Sequence, residues 1–402
     1  MAILRFQPAA CLAASALVTA ASLTLLGGCA QQQTRDTAAV APSPWALPTS
    51  TMRWNEYACE LIARSQAGQV PAARTLAYLN LGINNAIVEA KQQRRKPEGA
   101  AAGAGATVLA HFFPKDEASI AARLNGEIAA MGAGALRDEF AAGANIGRTV
   151  GASVVALAKS DRSDLAWSGA LPTGADKWSS RAQPARPPLG PRLGEMRPFF
   201  IASGDAFRVR PPPDVASPEF RATLGEVRAI SDRRTNEQIR IAQYWENLTG
   251  AFSAGLWNDV ARGAISAHGM DEAQSARVLA MVHMVAIDAV IASHDSKYVY
   301  WVPRPTQLDP QISLAIGVPN HPSYPSNHAA ISGAVGLVMD YLFPDDKGRY
   351  FAMGLQAGES RVYAGIHYRI DLDEGYAIAR KVAARAIEVG VSADRPFVPQ
   401  GR

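Results

Sequence analysis

The sequence predicts an all-α fold, and three observations carry that expectation. Apolar residues recur at helical spacing over most of the chain, alanines are repeated through its first half, and helix-breaking prolines gather in one stretch. In residues 54–91, Leu61, Ile62, Leu76, Leu79, Ile83 and Ile87 form the apolar face, with Pro71 starting a second segment. Residues 96–106 run Pro-Glu-Gly and then alternate alanine with glycine, which reads as a mobile loop. Two helices follow around Pro114, over 108–113 and 118–131, and another over 136–159.

From Asp161 to Pro213 the periodicity stops, and the run Pro211-Pro212-Pro213 ends a long irregular segment. Trp167, Trp178, Phe199, Phe200 and Phe207 give it apolar anchors, so it is expected to wrap the helices and shape one wall of a pocket. Thr235 and Gln238 form a capping-box pattern that opens a helix to Trp245. Asp271-Glu272 begins a helix to about His294; its run 278–292, with His283 and Asp288, reads as too short and polar to span a bilayer. The last helices are expected over 327–342, 347–363 and 374–389, with a break at Tyr363-Ala364-Gly365.

Residues 1–28 stand apart from the fold. Arg5 precedes an apolar run over 9–26, and Leu26-Gly27-Gly28-Cys29 closes it with small residues before a cysteine. This resembles a bacterial lipoprotein signal with Cys29 as the lipidated residue. Residues 29–50 then read as a flexible tether and 51–402 as a single helical domain, with a signature core at 290–390. The expected location is that of an exported bacterial lipoprotein in the periplasm or cell envelope, attached to the membrane through its lipid anchor only. A net charge of +4 and no long basic run speak against a nucleic-acid partner. Of three cysteines, Cys11 lies in the signal and Cys29 takes the lipid, so Cys59 has no disulfide partner and reads as a small buried hydrophobe.

The chemistry is concentrated between Lys297 and Asp371. Lys297 and Arg304-Pro305 form one block, Pro325-Ser326-Asn327-His328 a second, and Ser360-Arg361 with His367 and Asp371 a third. Three cations suit a tetrahedral oxyanion, because charge-assisted hydrogen bonds are roughly twice as strong as neutral ones. Two histidines beside that anion supply a ligand or nucleophile and a general acid/base.

These blocks, in this order, resemble the signature of the vanadium haloperoxidases and type 2 phosphatidic acid phosphatases. Asn327 stands where that family usually has glycine, and a left-handed or otherwise tight backbone is expected there, which Asn tolerates. Trp178, Arg197-Pro198-Phe199, Tyr244-Trp245 and Trp257-Asn258 resemble the haloperoxidase-like branch. The resemblance implies a helical bundle of the haloperoxidase/acid phosphatase type and assigns roles. Lys297, Arg304, Ser326, Asn327 and Arg361 would bind vanadate or phosphate. His367 would be the vanadium ligand or the phosphorylated nucleophile, His328 the acid/base, and Asp371 the group that orients His367. His321 and His294 would line a halide or substrate pocket, with bromide favoured over chloride, whereas His111, His268 and His283 have no motif around them. The activity implied is vanadate-dependent oxidation of halide by hydrogen peroxide. The alternative is an acid phosphatase that cleaves phosphate monoesters through a phospho-histidine and needs no vanadate, and a third reading is a non-catalytic anion-binding lipoprotein. The oligomeric state is not legible in the sequence.

Overall fold

A long apolar helix lies at the centre of the molecule, and the other helices pack around it. The computed structural model describes residues 48–180, 184–248 and 250–401, all within the unit Pro44–Arg402. The expected signal, the expected lipidation site Cys29 and nearly all of the expected tether lie outside the described residues. The helices are α1 (Ser50–Ser65), α2 (Gln69–Gln92), α3 (Pro97–Phe112), α4 (Glu117–Ala130), α5 (Ala135–Lys159), α6 (Pro218–Asp232) and α7 (Asn236–Glu246). They continue with α8 (Phe252–Ala267), α9 (Glu272–Tyr300), the short α10 (Pro305–Leu308), α11 (Asn327–Leu342), α12 (Arg349–Tyr363) and α13 (Arg369–Val389). No strand occurs among the described residues, and the fold is all-α.

The central helix is α9. It starts at a capping box in which Asp271 and Gln274 satisfy each other's backbone N–H groups. It touches α2, α8, α11 and α13, and its residues from Val278 to His294 are all buried. The expectation of a run ending near His294 is corrected: the helix continues to Tyr300 and is long and apolar enough to cross a membrane by composition alone. Its apolar surface is instead covered by neighbouring helices. Trp301, in a left-handed conformation at φ 55°, closes it and turns the chain back towards Lys297.

The loop expected at 96–106 is helix α3. Its glycines serve close packing rather than a turn. A Cβ on Gly99 or Gly103 would lie 2.1 Å from the carbonyl oxygens of Phe140 or Ala144 in α5, and one on Gly147 would lie 2.2 Å from Ala100 O. The two helices thus meet backbone to backbone, which only Gly and Ala permit. Helices α6 and α8 carry no sequence expectation, and α13 begins at Arg369 rather than at 374.

The described residues of the proline-rich segment are irregular apart from two short 3₁₀ turns, which lie along α9. Its anchor is Asp288, which accepts from the backbone N–H of Phe199, Phe200 and Ile201 at 2.7, 2.7 and 3.1 Å. Burial raises the Asp288 carboxyl to about 7 against the opposing pull of those bonds. Arg208 pairs with Asp295 through two bonds, and Trp178 N donates to Trp301 O. Cys59 is partly buried, and burial pushes its thiol up to about 12, so it is protonated and inert.

Candidate active site

Four helix ends bring the signature residues together. The C-terminus of α9 supplies Lys297, the N-terminus of α11 supplies Ser326, Asn327 and His328, and the C-terminus of α12 supplies Arg361. After α12, Gly365 at φ 82° turns the chain so that His367 precedes α13, which carries Asp371 in its first turn. Arg304 stands just before α10. All eight side chains are buried; Lys297, Arg304, Ser326, Arg361 and Asp371 have no exposed surface.

The histidine at the centre is held in one tautomer. Its Nδ1 lies 2.6 Å from Asp371 Oδ2, four residues on, and a carboxylate oxygen places the proton on Nδ1. Nε2 therefore presents its lone pair, and Arg304 Nη1 donates to it at 3.0 Å. Asp371 Oδ2 also accepts from Ser323 Oγ at 2.5 Å and from the Tyr368 N–H at 3.1 Å. Asp371 thus fixes the orientation of the His367 ring.

The cations are positioned by backbone carbonyls. Lys297 Nζ donates to the oxygens of Pro322 and Ser323, at 3.1 and 2.6 Å, and to that of Pro325. Arg304 donates to Ile366 O at 2.7 Å and His321 O at 3.0 Å, and Arg361 to Ala242 O at 2.7 Å. Arg361 also meets Glu246 Oε2 at 2.5 Å. Glu246, the last residue of α7, carries no motif and was not anticipated; the only hint was that a buried arginine requires an anionic partner.

Three buried cations therefore face two carboxylates, Asp371 and Glu246, with the histidines neutral. The electrostatics reflect that excess of positive charge. Burial, reinforced by Arg304, holds Lys297 well below its ordinary value; burial lowers Arg304 to about 10 and also lowers Arg361. Burial pushes His328 and His367 well below 6.5, helped by Arg361 and Arg304 respectively. Burial raises Asp371 to about 6, opposed by the Ser323 bond and Lys297. His328 lies with Nε2 at 3.1 Å from Trp245 O, which puts the proton on Nε2 and makes Nδ1 the basic nitrogen.

At Asn327 the left-handed form of the expected backbone is not adopted. Asn327 is the first residue of α11, and its Oδ1 accepts from Ser293 Oγ at 2.7 Å. Ser326 caps the same helix, its Oγ 3.4 Å from Ala329 N. His321 and His294 sit together, ring centroids 5.7 Å apart, and Arg304 Nη2 lies 3.1 Å from His321 Nδ1. Both line a cavity of about 700 Å³ that also touches Glu246 and Asn327. Leu189, Gly190 and Leu193 of the proline-rich segment form part of its wall, as the sequence suggested. The unassigned histidines have other partners: His111 packs against Phe112, His268 faces Asp346 and His283 faces Asn258.

Residues 277–390 match the model of the PAP2 superfamily. A non-specific acid phosphatase of Providencia stuartii is 38% identical over 65 residues, and an acid phosphatase of Zymomonas mobilis is 35% identical over 63. Each alignment covers 16% of this chain, which spans only about a quarter of the length of these relatives. Among solved structures, a bacterial vanadium-dependent iodoperoxidase superposes with a TM-score of 0.74 at 20% identity, covering 85% of this chain and 97% of that one. A bacterial vanadium-dependent chloroperoxidase in its apo form gives a TM-score of 0.64 at 13% identity, covering 80% of this chain and 92% of the other.

Proposed function

We propose that this chain, a member of the PAP2 superfamily on the helical fold of the vanadium haloperoxidases, is a vanadate-dependent haloperoxidase. The observation that carries an oxyanion reading is the excess of buried positive charge around a histidine nitrogen whose lone pair is presented by Asp371. A buried ion without compensation is costly, and a tetrahedral anion supplies the missing negative charge. The donors fit vanadate: Lys297, Arg304, Arg361, the Ser326 hydroxyl and the N-terminus of α11 would hold its oxygens, and His367 Nε2 would ligate the metal. When bound, vanadate supplies Lewis-acid activation of hydrogen peroxide, so that halide is oxidised to hypohalous acid without a change in the metal's oxidation state.

The chain's own residues do the rest. Asp371 keeps the proton of His367 on Nδ1, and Arg304 orients the ring through Nε2 in the anion-free site. His328, neutral because it is buried beside Arg361, takes a proton from the incoming peroxide. His321 and His294 stand on the cavity side, where the halide arrives, and bromide is placed ahead of chloride. The lipobox-like residues Leu26-Gly27-Gly28-Cys29 support a further reading of the chain as an anchored lipoprotein of the bacterial cell envelope.

The second reading is favoured by the acid phosphatase alignments. In it the same donors hold a phosphate monoester, His367 Nε2 attacks phosphorus and His328 protonates the leaving oxygen. One preparation separates the two. Protein freed of phosphate is tested with orthovanadate, peroxide and bromide or iodide for halogenation of an organic acceptor, and without vanadate for hydrolysis of a chromogenic phosphate monoester. Vanadate-dependent halogenation with negligible hydrolysis is expected. Hydrolysis that vanadate inhibits, without halogenation, would establish the phosphatase instead.

A further inference from the structure

The stretch 317–320 borders two concavities. Val318 and Pro319 line the large cavity described above and also a second, smaller pocket of about 330 Å³. Trp178, Gln307 and Asn320 form part of that smaller pocket, and two arginines border it, Arg186 and Arg304. No carboxylate is among its described lining residues, whereas Glu246 stands on the wall of the large cavity.

Neither guanidinium meets a carboxylate. Arg304, which has no exposed surface, donates to the carbonyl oxygens of His321 and Ile366 and to imidazole nitrogens. Arg186 is exposed and has no ion-pair partner among the described residues. Its backbone is nevertheless fixed: its N–H donates to Ser180 Oγ at 3.2 Å, and its carbonyl accepts from Asn320 Nδ2 at 3.5 Å. The same Asn320 nitrogen donates to Pro187 O at 2.7 Å. Two like charges around one concave wall focus their field on a diffusing ion of opposite sign.

Arg304 connects this pocket to the site. Its Nη1 donates at 3.0 Å to His367 Nε2, the nitrogen assigned to the oxyanion. Its backbone N–H donates to Gln307 Oε1 at 3.0 Å, and Gln307 Nε2 donates to Ser179 Oγ at 2.8 Å. One side chain thus ties the buried arginine to the irregular segment that carries Arg186.

We propose that this pocket is the port through which a small inorganic oxyanion enters and leaves the site, with Arg186 as its first contact and Arg304 at its inner end. The large cavity is the poorer route for such an ion, which would shed hydration against Val70, Phe112 and Phe252 and pass Glu246. The port serves vanadate loading in the haloperoxidase reading and phosphate release in the phosphatase reading. The inference therefore rests on the oxyanion site and not on the choice between them.

The test is the rate of orthovanadate binding to the anion-free chain, followed by stopped-flow tryptophan fluorescence; Trp178 lines the port. Arg186→Glu should slow association at least about fivefold at low ionic strength, and the deficit should shrink to within about twofold at about 0.5 M salt. Lys347→Glu, an equal charge reversal at an exposed residue beyond the C-terminal end of α11, should bind as fast as the native chain. Ser179→Trp, which narrows the port, should slow association and dissociation by the same factor and leave the equilibrium affinity unchanged. A general loss of structure would not give that pattern. Val70→Trp, which narrows the large cavity, should leave both rates unchanged. Association by Arg186→Glu as fast as by Lys347→Glu, or slowing by Val70→Trp but not by Ser179→Trp, would overturn the inference while the oxyanion site stood. A native chain that takes up no orthovanadate would remove the oxyanion site, and the port with it.

Discussion

Replacing Asp371 with asparagine removes more than a charge. In the native site Asp371 Oδ2 accepts from His367 Nδ1 at 2.6 Å, from Ser323 Oγ at 2.5 Å and from Tyr368 N at 3.1 Å. Only an acceptor opposite Nδ1 leaves Nε2 with its lone pair. The asparagine amide can turn its NH₂ towards Nδ1 and so favour the opposite tautomer. The proton would then sit on Nε2, 3.0 Å from the Arg304 N–H that now donates to it, so two donors would face each other. Outer-shell partners of ligating histidines are worth about 10–100-fold in affinity, which is about 1.4–2.8 kcal/mol. Orthovanadate affinity, measured by calorimetric titration at neutral pH, should fall by that factor in Asp371→Asn. Asp371→Ala, which loses orientation without reversing the tautomer, should be the milder of the two. Binding by Asp371→Asn within twofold of the native protein would refute the tautomer argument.

Three further expectations concern the scaffold. Asp288→Ala would leave the buried N–H groups of Phe199, Phe200 and Ile201 without their acceptor. At about 1–3 kcal/mol for each orphaned donor, urea unfolding should show a loss of about 3 kcal/mol or more; a loss below about 1 kcal/mol would contradict the anchoring role. Gly103→Ala would be stabilising on an exposed helix, but here the new Cβ would lie 2.1 Å from Ala144 O, so a destabilisation of about 1–3 kcal/mol is expected. An unchanged melting curve would contradict the close α3–α5 packing. His283 is buried and neutral, and burial lowers it to about 3. Below about pH 6.5 the unfolded chain takes up this proton and the folded one does not, so the group's contribution to stability is lost as pH falls from 6.5 towards 3. His283→Asn should therefore shrink the stability difference between pH 7 and pH 5 by about 2 kcal/mol; an unaltered difference would contradict the assignment.

The convergence of the signature residues was legible because the three blocks set fixed residue types at short spacings. Lys297, Arg304, Ser326, Asn327, His328, Arg361, His367 and Asp371 all meet where the sequence blocks implied. Helix periodicity and the Thr235–Gln238 capping box were legible for the same reason, since both act within one or two turns. What escaped depends on distant partners. The Gly/Ala run of α3 looks like a loop until α5 is laid against it, because the same small residues serve turns and close packing. Glu246 carries no local pattern and gains meaning only from Arg361, 115 residues away. Asp288, a carboxylate inside an apolar helix, was noticed, but its three backbone donors belong to the irregular segment, whose path no periodicity predicts. Asn327 avoids the left-handed backbone because it opens a helix.

One buried pocket is proposed to bind a tetrahedral oxyanion at His367 and to turn it over through His328. The most direct measurement is a parallel orthovanadate titration and turnover assay of the native chain, His367→Ala and His328→Ala. His367→Ala is expected to lose both anion affinity and activity. His328→Ala is expected to keep most of its affinity and lose activity. Full activity in His328→Ala, or native affinity in His367→Ala, would contradict the assignment.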